Sequence, residues 1–269
     1  AVGKFRRNTP LLAFHLCLLL LLILIAAGTL TGMRAHFEIA EGQVFSNADL
    51  VIDSRGRFAS GAPPEGMFRQ GRIEVDYASG IERAATRSQV WLDRKTGPRS
   101  QTLTDGRPLV IDGYRIYPTH NKGFSAILTW WPEGGGAAVA GSINFPSYPR
   151  LSWRQSRSWV TPGGLELELE LAPLVFPADS PWTLSAQRAG PGLFLDQGGG
   201  VRSELRVGEI VPVRGGFVRL EKLGMWMGYR VFYDPMLPWI FVAALLAVAF
   251  MARHLWLRLG LERPRRNHR

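Results

Sequence analysis

His15 is the fifth residue of an apolar run, Leu11 to Leu30 (LLAFHLCLLLLLILIAAGTL), that holds no formal charge. An ionisable ring there is costly in hydrocarbon and usually faces a bundle interior or a water-filled cavity. A neutral imidazole is a ligand for haem iron; it can equally hydrogen-bond a neighbouring helix and bind nothing. His254 follows Arg253 at the far end of a second apolar run, with headgroup contact and iron ligation as its two readings. If the two runs pack side by side, both rings come to similar depth. His36 falls in the short link after the first run, and His120 reads as a loop tip in Thr119-His120-Asn121-Lys122-Gly123.

Other residue types offer less. Glu166, Glu168 and Glu170 alternate with leucines, so they project from one strand face. They suit a cation or a basic partner, but alternation alone also produces a solvated face. Ser142 and Ser147 lack a G-x-S-x-G elbow, and Gly134-Gly135-Gly136 and Gly198-Gly199-Gly200 lead to no P-loop lysine. The single cysteine, Cys17, lies inside the first run and reads as a small apolar filler, so thiolate chemistry outside that run is excluded. No catalytic residue stands out, and a non-enzyme is expected.

These residues need elements to position them. At about 1.5 Å per residue, roughly twenty residues cross a hydrocarbon core of about 30 Å. The first run therefore predicts one membrane helix over 11–30, and Met236 to Leu257 predicts a second over 236–257. The first run is longer than a signal-peptide core and is followed by no clean A-x-A site, which favours an uncleaved anchor. The formal charge of +10 sits mostly outside the spans: Lys4, Arg6 and Arg7 precede the first. Arg253, Arg258, Arg263, Arg265, Arg266 and Arg269, against Glu262, end the second. The positive-inside rule then places the tails, 1–10 and 258–269, in the cytoplasm and the domain at 31–235 across the membrane. With the basicity in the tails, a nucleic-acid partner is not expected.

Residues 31–235 alternate with period two between Gly- and Pro-rich turns, which predicts an all-β domain, an antiparallel sandwich or open barrel. Candidate strands include Arg72–Tyr77, Ser88–Leu92, Pro108–Tyr117, Phe124–Trp131, Leu151–Val160, Leu165–Leu171, Ser203–Val213, Phe217–Glu221 and Tyr229–Tyr233. Gly80–Ser88 is the one stretch with some helical character, and Asp53–Gly71 reads as an exposed loop. The last strand meets Asp234-Pro235 and then the second span. Proline suits a first helical turn and aspartate caps it, so strand and span are joined through one short turn. Trp226, Trp239 and Trp256 are candidate interfacial anchors.

Gly228-Tyr229-Arg230-Val231-Phe232-Tyr233-Asp234-Pro235, running into the final span, resembles the end of the ResB-like cytochrome c biogenesis family, also called CcsB. Gly106 to Tyr117 (GRPLVIDGYRIY) resembles that family's N-x-P-L-x-x-x-G-Y-x-x-Y-Q strand, and Phe37-Glu38-Ile39-Ala40-Glu41-Gly42 its entry into the domain. The chain departs in having one span ahead of the domain, Pro118 in place of the glutamine, and no W-W-D haem motif at Trp130-Trp131-Pro132. The resemblance implies a bacterial inner-membrane protein with a periplasmic domain that presents haem or handles apocytochrome beside a multi-span partner. Haem is the implied cofactor, with His15 and His254 as candidate ligands; Gly228, Tyr229, Asp234 and Pro235 form the implied strand-to-membrane junction. The competing reading is a structural anchoring subunit of a larger electron-transfer complex that handles no haem.

Overall fold

The structure, a computed structural model, describes residues 8–59, 61–94, 97–149, 154–198 and 202–261. The outer parts of both basic tails, the first residues of the expected strand Leu151–Val160, and Gly199-Gly200 lie outside the described residues. The chain divides into two compact units: residues 1–34, 52–61 and 232–269 form one, and residues 35–51 and 62–231 the other. About 50% of residues are in strands, with one sheet curled into a half-barrel.

In the first unit, helix α1 spans Thr9–Thr31 and helix α2 spans Leu237–Leu261. Both are long and apolar enough to cross a membrane. Their pattern is inverted relative to a water-soluble helix pair: Leu16, Leu19, Leu22, Ile23 and Ile25 of α1 and Phe241, Leu245, Val248 and Leu255 of α2 are exposed. The residues buried between the helices are small: Cys17 and Gly28 on one, Ala243 and Ala247 on the other. Small side chains let backbones approach where lipid supplies no hydrophobic drive between helices. The helices run antiparallel, since His254 meets Asn8 at one end and Asp234 packs over Gly28 at the other.

The β-unit begins directly, because only Gly32 separates α1 from strand β1 (Met33–Ala40). The link expected around His36 is therefore strand. Met33, Ala35, Phe37 and Ile39 face inward while Arg34, His36 and Glu38 face out. The further strands are β2 (Val51–Arg55), β3 (Arg69–Tyr77), β4 (Arg83–Arg94), β5 (Gly97–Leu103), β6 (Leu109–Ile111), β7 (Tyr114–Pro132) and β8 (Val139–Ser147). They continue as β9 (Gln155–Val160), β10 (Glu166–Leu171), β11 (Trp182–Leu184), β12 (Gly192–Asp196), β13 (Arg202–Arg206), β14 (Ile210–Val213) and β15 (Gly216–Tyr233). Among the described residues these make three sheets. The largest has the order β2-β1-β15-β7-β6, with β14 on β15 and β8 on β7; the others are β13-β12-β10-β9 and β11-β3-β4-β5.

Several expectations needed correction. Thr119–Gly123 is no loop tip: it lies within β7, which runs unbroken for 19 residues. Gly123 is there because a Cβ would stand 2.7 Å from the Trp226 indole nitrogen, so this glycine marks close packing instead of a turn. Gly80–Ser88 is a turn leading into β4, not a helix. Pro108–Tyr117 is a hairpin, turning at Asp112 and Gly113, both at positive φ. Phe217–Glu221 and Tyr229–Tyr233 are two ends of one strand, whose middle, Leu223 to Tyr229, is buried throughout and so shows no alternation. The Asp53–Gly71 stretch is exposed only in part, because Phe68 packs with Phe37, Phe45 and Tyr229. Trp226 is 3% exposed and donates to Phe145 O at 2.8 Å, which makes it a core residue and removes it from the interfacial anchors.

Candidate functional site

The first candidate lies at the end of the helix pair where α1 begins. His15 is in the second turn of α1, exposed, and its Nδ1 lies 2.7 Å from Leu11 O, with Phe14 edge-on at 5.5 Å. A carbonyl only accepts, so Nδ1–H is the donor in this bond. That is the arrangement in which a second hydrogen bond orients an imidazole for ligation. His254 Nδ1 lies 3.1 Å from Asn8 Oδ1. Asn8 immediately precedes α1 and His15 lies in its second turn, so both histidines lie toward the same end of the unit.

The outward position of His15 bears on haem. One imidazole on the rim of two helices could hold such a group from one side only, and enclosing it would require further apolar walls. Cys17 is free and buried in the helix contact, which leaves it as packing.

At the other end, each residue of the quoted junction has a separate task. Asp234 Oδ1 accepts from Met236 N at 2.9 Å, while Pro235 occupies the turn before α2 starts at Leu237. The same carboxylate fills the space over Gly28, whose Cβ would lie 3.1 Å from Oδ1. Asp234→Ala is therefore expected to loosen the first turn of α2 by about 1 kcal/mol. Hydrogen exchange at Met236 and Leu237 should quicken in Asp234→Ala and stay near wild type in Asp234→Asn; unchanged exchange in both would remove the capping role.

Gly228 and Tyr229 belong to the β-unit. The Gly228 carbonyl accepts from Thr119 Oγ1 at 2.9 Å, and a Cβ on Gly228 would stand 2.8 Å from that same oxygen. Tyr229 is fully buried and closes a ring of three hydrogen bonds. Its hydroxyl donates to Gln70 Oε1 at 2.8 Å, Gln70 Nε2 donates to Ser88 Oγ at 2.8 Å, and Ser88 Oγ donates back to Tyr229 Oη at 2.5 Å. The ring ties β15 to β3 and β4. Burial pushes the Tyr229 phenol above the ordinary tyrosine range, so it stays a donor.

Beside this ring is a cleft of about 420 Å³ lined by Glu41, Arg69, Arg72, Glu74, Trp91 and Lys222 among others. It opens where β3 slips register between Gln70 and Ile73. Glu41 is buried, accepts from Ile73 N at 2.8 Å and lies 3.6 Å from Lys222 Nζ. Burial raises its carboxyl above the ordinary glutamate value, opposed by those two partners. Sequence reasoning missed this site, although Glu41 and Gly42 are in the quoted Phe37–Gly42 motif. Gly42 is at φ 95°, a turn that lets Glu41 fold back on β3. The cleft presents paired charges and one aromatic face, Trp91.

The glutamate face resolves into ion pairs. Glu170 receives Arg154 through Nε and Nη2, both at 2.7 Å, and Arg202 at 3.0 Å; Ser158 donates to Glu166. The Arg154 fork, with Arg202, neutralises the Glu170 carboxylate. Among the described residues no group of three or more His, Cys, Asp or Glu side chains is placed to hold a metal ion.

The family model that matches this sequence is the ResB-like family, over residues 3–173. The matched stretch takes in α1 and the motifs at Phe37–Gly42 and Gly106–Tyr117, and stops before Gly228. No curated protein and no solved structure matches the chain.

Proposed function

Because this chain belongs to the ResB-like family, we propose that it is a component of cytochrome c maturation that acts by assembly and positioning instead of catalysis. In this reading α1 and α2 span the bacterial inner membrane, both tails are cytoplasmic and the β-unit is periplasmic. The charge asymmetry supports that orientation, since the basic residues crowd the two chain ends. One observation carries the proposal: the family match runs through the first apolar helix and on into the β-unit as a single stretch.

Haem, when bound, would supply an iron that an imidazole nitrogen could ligate. His15 is the residue of this chain that would hold it, with Nδ1–H on Leu11 O orienting the ring. His254, held by Asn8, is the second candidate. The two helices offer one side of such a site, and a multi-span membrane partner would supply the remainder. The cleft at Glu41, with its mixed charges and Trp91, is the surface suited to an apocytochrome segment.

The test is the visible spectrum of the protein purified in detergent together with the membrane partners that follow it. A Soret band at near-stoichiometric haem is expected, lost in His15→Ala while helical content and copurification persist. A colourless preparation that holds stable electron-transfer subunits overturns haem presentation in favour of an anchoring subunit.

A further inference from the structure

We infer that residues 52–59, the end of β2 and the turn that follows it, form a lipid-binding element. It lies at the headgroup–acyl boundary where α1 ends and α2 begins, with Phe58 inserted among phospholipid chains. The inference rests on the membrane-spanning reading of α1 and α2 given above.

The segment's depth is set by hydrogen bonds. Gly56 N donates to Gly32 O at 2.9 Å, and Phe58 N donates to Leu30 O at 2.8 Å. The approach is close enough to require glycine, because a Cβ on Gly56 would stand 2.3 Å from the Leu30 carbonyl carbon and oxygen. A helix end leaves carbonyls without intrahelical donors, and in a bilayer each needs a partner. Of the last four carbonyls, Gly28 O accepts from Gly32 N and Leu30 O from Phe58 N, while Thr29 Oγ1 and Thr31 Oγ1 add bonds to Ala26 O and Ala27 O one turn back. The segment is thus fastened to the last turn of a helix whose flanks are exposed leucine and isoleucine.

Beside the polar side chains Asp53, Ser54, Arg55 and Arg57, the fastened segment displays two exposed apolar ones. Phe58 is 65% exposed and Ile52 47%. At the same end of the antiparallel pair, Trp239 in the first turn of α2 is 62% exposed. An exposed phenylalanine and an exposed indole at one end of two apolar helices have the distribution of an interfacial belt. Arg55 curls the segment by donating to Ala59 O and Gly61 O. The exposed Arg57, next to Phe58, complements phosphate. Phospholipid is therefore the occupant: the face is continuous with the lipid-facing flanks of α1 and α2, and its cations match headgroup charge.

The test uses the full chain in nanodiscs of phosphatidylcholine and phosphatidylglycerol. Spin labels are placed at Phe58→Cys, Leu245→Cys or Ala137→Cys on a Cys17→Ala background. Power saturation with oxygen and a water-soluble nickel chelate should give position 58 several-fold more oxygen contact, relative to nickel, than position 137. A label at 58 that matches 137 while 245 reads as lipid overturns the assignment. An aqueous reading at 245 instead overturns the spanning of α2 and the proposal with it. Should Cys17→Ala not fold, benzoylphenylalanine at position 58 of the otherwise native chain gives the same decision: phospholipid adducts on illumination support the element. Their absence, with adducts at 245, rejects it.

Discussion

Tyr229→Phe is expected to lower the stability of the β-unit by about 2 kcal/mol, and Tyr229→Ala by roughly 4 kcal/mol. The first figure follows from the closed ring of hydrogen bonds. Removing the phenol oxygen deprives Gln70 Oε1 of its donor and Ser88 of its acceptor, and a buried polar atom left without a partner costs its full desolvation. The second adds the cavity beneath the stack with Phe37, whose ring centroid is 5.3 Å away, and the edge contact with Phe68. Gln70→Met in the Tyr229→Phe background should recover part of the loss, since an apolar pair leaves fewer orphaned atoms. Thermal unfolding followed by near-ultraviolet circular dichroism reads all three. Equal melting temperatures for wild type and Tyr229→Phe would mean the ring contributes nothing.

Lys122→Met is expected to stabilise the β-unit at pH 7 by about 2 kcal/mol and to flatten its alkaline pH dependence. Lys122 is 5% exposed; its ammonium donates to His120 O at 3.1 Å and lies 5.6 Å from the Tyr77 ring centroid. Burial, joined by Arg83 and opposed by Asp105, lowers its pKa to about 8. An unfolded lysine titrates near 10.4. Because the folded value is depressed, the contribution of Lys122 is complete above the unfolded value and is lost as pH falls through about 8. Each tenfold displacement of a proton equilibrium is about 1.4 kcal/mol, which puts the full effect at roughly 3 kcal/mol. The carbonyl and ring contacts that methionine forfeits reduce the net gain. Wild type should therefore melt higher at pH 10 than at pH 7, with the variant showing a smaller difference. Identical slopes in both proteins would refute the buried-cation account.

The motifs that suggested the family are legible as packing once their neighbours are known. Phe37 is core, Glu41 folds back on Ile73, and Leu109, Tyr114 and Ile116 bury the hairpin that turns at Asp112-Gly113. Gly228 admits Thr119, Val231 is core and Asp234 caps α2. The cap at Asp234 was readable from the motif, because Met236 is two residues away; the packing tasks of Glu41 and Gly228 were not, because each is defined by a residue remote in sequence. The cleft was illegible for the same reason: Glu41, Arg69, Trp91 and Lys222 are scattered along the chain and meet only through the pairing of β3 with β4 and the fold-back of Glu41.

Two apolar helices and a strand-rich body were readable directly, since run length and alternation are local and their cost in the wrong solvent is large. Leu167, Leu169 and Leu171 are buried on β10 and the intervening glutamates face out, as period two requires. Strand continuity was not local. Gly123 and Gly224, with Pro118, look like turn residues, yet they lie within long strands because indole, carboxylate and hydroxyl groups from elsewhere occupy the space beside the two glycines. A chain records its solvent preference residue by residue, whereas what fills the space beside a glycine is settled only when distant segments pack.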